Sequence, residues 1–135
     1  MKNIHSDSIL IVGTGALASL FAARLLSAGI GVKMLGTWEA GLNALRTKGI
    51  SIIDEEGCER TYQVGATEHP TDCNEAQLAL VLVKAWQTVR AAKQLASCLA
   101  QDGLVLTLQN GFGNLEILQA ALGLTRQSSG ATWLS

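Results

Sequence analysis

Ile9-Leu-Ile-Val-Gly13-Thr14-Gly15-Ala16-Leu17-Ala18 decides how the rest of the chain is read. The run from Ser8 to Val12 is short, continuously apolar and rich in branched residues, as in a strand buried on both faces. At Gly13 the pattern breaks. From Gly15 to Ala28 apolar residues recur at helical spacing, with Leu17, Phe21 and Leu25 on one stripe and Gly29 placed to end the helix. A strand, a glycine turn and a helix in that order open a βαβ unit.

The turn itself follows the G-x-G-x-x-G/A pattern, with alanine in the third place. Gly13 permits the tight exit from the strand, Gly15 removes the side chain that would keep a pyrophosphate from the backbone, and Ala18 lets the helix approach the sheet. The free N–H groups and the positive dipole end of that helix attract phosphate. The segment Gly13, Thr14, Gly15, Ala16, Leu17, Ala18 is therefore the candidate dinucleotide cradle. The same geometry also serves as a plain connection, or as a flavin or S-adenosylmethionine site.

Working outward, Gly31 to Gly36 is a second strand and Trp38 to Lys48 a helix with Leu42 and Leu45 inward. Ile50 to Asp54 and Arg60 to Val64 flank a Glu-Glu-Gly-Cys turn and form a hairpin. Thr67 to Glu75 reads as loop. Leu78 to Val83 is a fully apolar strand, followed by a helix from Trp86 to Ala100 with Val89, Ala92, Leu95 and Leu99 on its buried face. Leu104 to Leu108 is a strand, Leu115 to Leu122 a helix, and Gly130 to Leu134 a last strand. Strands alternating with helices predict an α/β fold of the Rossmann type, doubly wound, with a mostly parallel sheet and helices on both faces.

The composition agrees with one globular domain over residues 1–135. Hydrophobic residues make up 48% and charged residues 16%, so the chain is not a disordered tail. A net charge of -1 supplies no global field for nucleic acid or anionic lipid. No stretch approaches the ~20 apolar residues of a membrane span. Three cysteines without a CxxC pair and two distant histidines point to reduced thiols in a cytoplasm, and to no metal site.

In open parallel sheets ligands bind outside the carboxyl ends of the strands. Lys84 directly follows the apolar strand LALVLV, and Gln109-Asn110-Gly111 follows LVLTL. Each also has a plain reading, Lys84 as a solvated strand end and Asn110-Gly111 as a turn. The second strand ends in Gly36-Thr37-Trp38, without the acid that bonds a ribose 2′-hydroxyl, which favours NADP over NAD. Thr37 can donate a hydrogen bond there, while Trp38 either lies against the adenine or packs on its own helix.

Together, GTGALASLFAARL, VLVKAWQT, LQNGFGNLE and GATWLS resemble, in order and spacing, the N-terminal domain of ketopantoate reductases, and the likeness covers essentially the whole chain. That resemblance implies an NADPH-dependent enzyme of pantothenate biosynthesis, which passes hydride to the ketone of 2-dehydropantoate, a 2-oxo acid. It implies that Gly13, Gly15 and Ala18 bind the pyrophosphate, that Lys84 faces the cofactor, and that Asn110 lies near the nicotinamide and substrate. Thr37 departs from the basic residue that family members often carry after the second strand. The family's helical second domain, which supplies a lysine acid and a substrate-binding glutamate, is expected to be absent. The chain is then the cofactor-binding half, weakly active or inactive alone, with self-association through the surface left uncovered. The alternative is a stand-alone nucleotide-sensing regulatory domain.

Overall fold

The computed structural model describes residues 8–73, 76–107, 116–118, 120 and 131–133. Strand β1 (Ile9–Val12) leads into helix α1 (Ala16–Ser27), β2 (Val32–Leu35) and α2 (Glu39–Lys48). A hairpin of β3 (Ile50–Ile53) and β4 (Glu59–Tyr62) follows, then β5 (Gly65–Thr67) and a 3₁₀ turn at Pro70–Cys73. The second half contains β6 (Ala76–Val81), a 3₁₀ turn at Ala85–Gln87, α3 (Thr88–Cys98), β7 (Leu99–Thr107) and β8 (Ala131–Trp133). Of the expected helix at 115–122, residues 116–118 and 120 are described and helical.

Six strands form one sheet in the order β5-β2-β1-β6-β7-β8, and every neighbouring pair is parallel. With the antiparallel β3–β4 hairpin set apart, this is the 3-2-1-4-5-6 order of a doubly wound dinucleotide fold. The chain runs outward from β1 to β5, returns, and continues on the other side from β6. The reversal opens a crevice at the carboxyl ends of β1 and β6.

Alternation along the strands builds two cores. Leu10 and Val12 of β1 share one cluster with Ala79 and Val81 of β6 and with Ala91, Ala92, Leu95 and Cys98 of α3. Ile11 and Leu80 point to the opposite face, where they join Ala18, Ala22 and Ala23 of α1 and Leu45 of α2. A period of two thus explains why ILIV is apolar throughout: both faces of the strand are covered. Lys33, the one charged residue in β2, donates from Nζ to the Asp72 carbonyl at 2.8 Å.

Several expectations need correction. The fully buried face of α1 is Ala18, Ala22 and Ala23; of the expected stripe, Phe21 and Leu25 are partly buried against the same core, whereas Leu17 is 47% exposed. Small residues let the helix approach the sheet, and the larger ones are displaced to its flanks. On α3 the buried set is Thr88, Ala91, Ala92, Leu95 and Cys98, whereas Val89 is exposed and Leu99 already belongs to β7. The 3₁₀ turn at Ala85–Gln87 delays the start of the helix to Thr88, while the expected Ala92 and Leu95 do face inward. Finally, Gly65–Thr67 is a strand beside β2, so Thr67 belongs to that strand and not to the expected loop of Thr67 to Glu75. Thr67 then holds the following turn, donating to Asp72 Oδ2 at 2.6 Å and accepting from the His69 N–H at 3.0 Å.

The hairpin turn is organised by Asp54. Its Oδ1 accepts the N–H groups of Glu56 and Cys58, each at 2.9 Å, and its Oδ2 meets Arg60 at 3.4 Å. The Cys58 N–H above all, with Glu56 and Arg60 adding, holds the Asp54 carboxyl below its ordinary value. Glu56 and Cys58 stand close to this carboxylate, as the three groups of an exposed turn.

Cys58 is exposed, while Cys73 and Cys98 are buried, and none is disulfide-bonded. Burial pushes the Cys98 thiol up to about 11, with the nearby Cys73 adding to the shift. A thiol reagent at pH 8 is expected to modify Cys58 rapidly and to reach Cys73 and Cys98 only after unfolding. Uniform reaction of all three in the native protein would contradict this burial.

Candidate functional site

The geometry of the crevice starts from Gly13. Its N–H donates to the Leu35 carbonyl at 2.8 Å, and the Val12 carbonyl accepts from the Leu82 N–H at 2.9 Å, so β2, β1 and β6 end in register. Gly13 has φ +133°, and a Cβ there would stand 3.2 Å from the Leu82 carbonyl carbon. The turn thus needs glycine twice over, for its left-handed backbone and for its contact with the next strand.

Gly15 is different. Its backbone is extended at φ -80°, and a Cβ there would meet nothing within 4 Å. It occupies the N-cap of α1, makes no side-chain cap, and is followed by a first turn without acidic residues. The first N–H groups of the helix therefore have no partner within it, and their positive end faces open space. Such a start suits an anion.

A second close approach shapes the wall. A Cβ on Gly36 would lie 2.6 Å from Thr14 Cγ2, so glycine at the end of β2 is what lets the turn sit beside it. Thr37 follows, exposed. Trp38, 63% exposed, packs its ring over Gly41 while one edge borders the crevice. The two readings of Trp38 are thus compatible: it rests on its own helix and still lines the site.

Across the crevice the segment after β6 makes a reciprocal turn. The Lys84 N–H donates to Gln87 Oε1 at 3.2 Å, and the Gln87 N–H donates to the Lys84 carbonyl at 2.8 Å. This pins the backbone that carries Lys84 and starts α3 in a fixed phase. The side chains of Gln87, Arg90 and Gln94, spaced three and four apart, then share the face that borders the crevice.

The resulting cleft has a volume of about 730 Å³. Of the sequence-predicted residues, Gly13, Thr14, Gly15, Ala16, Leu17, Thr37 and Lys84 line it together. Ala18 does not, since its side chain, 1% exposed, faces the sheet and sets the height of α1. Asn110 lies outside the described residues. Gln87, Arg90 and Gln94 were missed as site residues. The KAWQ spacing held a hint of Gln87, three residues beyond Lys84, whereas the facing of Arg90 depends on the turn that sets the phase of α3.

No acidic side chain lines the cleft among the described residues, and both cations there, Lys84 and Arg90, are exposed. Glu39, in the first turn of α2, stands outside the lining. Two glycines at a helix start, cationic side chains and no carboxylate among the described lining residues make a chemistry that suits an anion.

Comparison with known proteins agrees with this geometry. The family model described as ketopantoate reductase PanE/ApbA matches residues 9–135. A 2-dehydropantoate 2-reductase of Halobacterium salinarum is 33% identical over 112 residues, covering 82% of this chain and 36% of that protein. The enzyme of the same name from Archaeoglobus fulgidus is 39% identical over 108 residues, covering 80% of this chain and 34% of that protein. Among solved structures, the 2-dehydropantoate 2-reductase of Geobacter metallireducens superposes with a TM-score of 0.73 at 29% identity, covering 84% of this chain and 37% of that one. The chain spans about a third of the length of the curated relatives it matches. On sequence, sheet order and the glycine turn alike, the chain belongs to the ketopantoate reductase PanE/ApbA family.

Proposed function

We propose that this chain is the NADP(H)-binding half of a 2-oxo acid reductase acting on 2-dehydropantoate. The observation that carries the reading is the open space over Gly15, at the uncapped start of α1 and at the point where the sheet reverses its order. A Cβ built on Gly15 meets nothing within 4 Å, which leaves room for a phosphate to approach the backbone. When bound, NADPH supplies the hydride that reduces the ketone to an alcohol.

This chain's own residues bind and orient. The backbone N–H groups from Thr14 to Leu17 would hold the pyrophosphate, helped by the α1 dipole, while the Gly13 N–H is committed to the Leu35 carbonyl. Lys84, fixed through the bond from its backbone to Gln87, neutralises phosphate charge on the opposite wall. Thr37 and Trp38 take the adenosine end. Asn110 positions the carbonyl of the substrate beside the nicotinamide. Stabilising the developing alkoxide and holding the substrate carboxylate would fall to the helical domain that the family resemblance implies.

The absence of a carboxylate after β2 supports NADP(H) over NAD(H), because nothing at that end repels a 2′-phosphate. Leu17 and Trp86, 47% and 76% exposed by the cleft, are apolar surface of the kind a second domain or a second copy covers. No described helix is long and apolar enough to cross a membrane. Together with three free thiols, this supports placement in the cytoplasm.

Calorimetric titration tests the cofactor assignment. NADPH is expected to bind more tightly than NADH, and Thr37→Asp to reverse the order by placing a carboxylate at the end of β2. Absence of binding by both nucleotides would reject the reading.

A further inference from the structure

Thr37 leaves the end of β2 without a cation, yet the cleft contains one that the glycine turn does not use. Arg90 lines the cleft from α3, is exposed, and makes no hydrogen bond or ion pair among the described residues. The two cations of the cleft have different positions. Lys84 follows β6, two residues past Leu82, whose carbonyl abuts Gly13. Arg90 lies on α3, which covers the sheet face carrying Val12 and Leu35, and Leu35 is the last residue of β2.

The neighbouring residues fix the direction of that helix face. Ala91, 1% exposed, packs in the same cluster as Leu35, and it lines the cleft together with Arg90 and Gln94. Arg90 therefore shares one cleft with Leu35, Gly36 and Thr37 at the end of β2. A carboxylate that would compete for it is missing from the lining among the described residues.

We infer that Arg90 is the specificity-determining residue for the 2′-phosphate of NADP(H), reaching from α3 to the end of β2 in place of a basic residue on the β2 loop. The inference rests on the nucleotide-binding reading given above. Chemically, the role suits arginine. A phosphomonoester offers several acceptor oxygens and about two negative charges, which a planar guanidinium can engage with paired N–H donors. Lys84 then serves the pyrophosphate, which NADP(H) and NAD(H) share, and Arg90 serves the one group that distinguishes them.

The experiment is a binding titration of the full chain and of Arg90→Gln and Arg90→Lys with NADPH and NADH. Arg90 is exposed and unpaired among the described residues, so neither substitution should disturb folding, and circular dichroism verifies this. Arg90→Gln is expected to weaken NADPH by about tenfold or more, the size of a lost charge-assisted hydrogen bond, with NADH changed less than about twofold. Arg90→Lys should fall between the two. Equal weakening of both nucleotides would place Arg90 on the pyrophosphate or adenine and overturn the inference. Unchanged NADPH affinity would overturn it too. If the unmodified chain bound neither nucleotide, the nucleotide reading itself would fail first, which is a separate result.

Discussion

Gly15→Asp is expected to leave the fold intact and to weaken NADPH by at least about a hundredfold, the combined effect of a like charge and lost N–H contacts at a phosphate site. The two halves of that expectation have separate causes. Gly15 has an extended backbone at φ -80° that any residue adopts, and a Cβ there meets nothing within 4 Å. Aspartate is also a favoured N-cap, so the helix start gains a side-chain acceptor for its free N–H groups. The same carboxylate fills the volume and consumes the donors that a pyrophosphate needs, and it repels the phosphates. Thermal unfolding should therefore show an unchanged or slightly raised Tm, while calorimetry shows binding lost. Retained NADPH affinity in a folded Gly15→Asp protein would remove the glycine turn from the nucleotide site.

That separation of stability from binding explains why this part of the molecule was legible in the sequence. A turn that must admit an anion to the backbone excludes side chains outright, and exclusion leaves a pattern of residue types. The strands were legible for a related reason: ILIV and LALVLV are covered on both faces, so every position is apolar. The hairpin around Asp54 was announced by its turn residues.

Where the reading failed, the deciding contacts were tertiary. Gly65–Thr67 is too short to show alternation, and it is a strand because Lys33 to Leu35 offers it an edge. On α1 the larger residues looked like the buried stripe, but the close approach set by Ala18 reserves the sheet contact for Ala22 and Ala23. On α3 Ala92 and Leu95 face inward as expected, and the 3₁₀ turn only moves the helix start to Thr88. Arg90 was not located by a sequence reading that found Lys84 easily. Lys84 is fixed by the end of a strand, while Arg90 is fixed by the phase of a helix, which depends on the bond between Lys84 and Gln87.

Gly13→Val should behave in the opposite way to Gly15→Asp, losing stability first and binding as a consequence. At φ +133° a β-branched residue is strained wherever it is placed. Here its Cβ would also press on backbone, 3.2 Å from the carbonyl carbon of Leu82 and 3.3 Å from its oxygen, and backbone cannot rotate away as a side-chain end can. Relief requires β1 and β6 to separate at the Leu82 N–H to Val12 carbonyl bond, in the middle of the sheet. Strain and overpacking together are expected to cost about 3 kcal/mol or more, a large share of the 5–15 kcal/mol that holds a typical domain folded. Urea denaturation would read this as a lower midpoint at unchanged slope. The residual folded fraction should still bind NADPH weakly, because the N–H groups of α1 remain. A Gly13→Val protein as stable as the parent would mean that the turn leaves β1 without the left-handed backbone and the contact with Leu82 on which the position of the whole cradle depends.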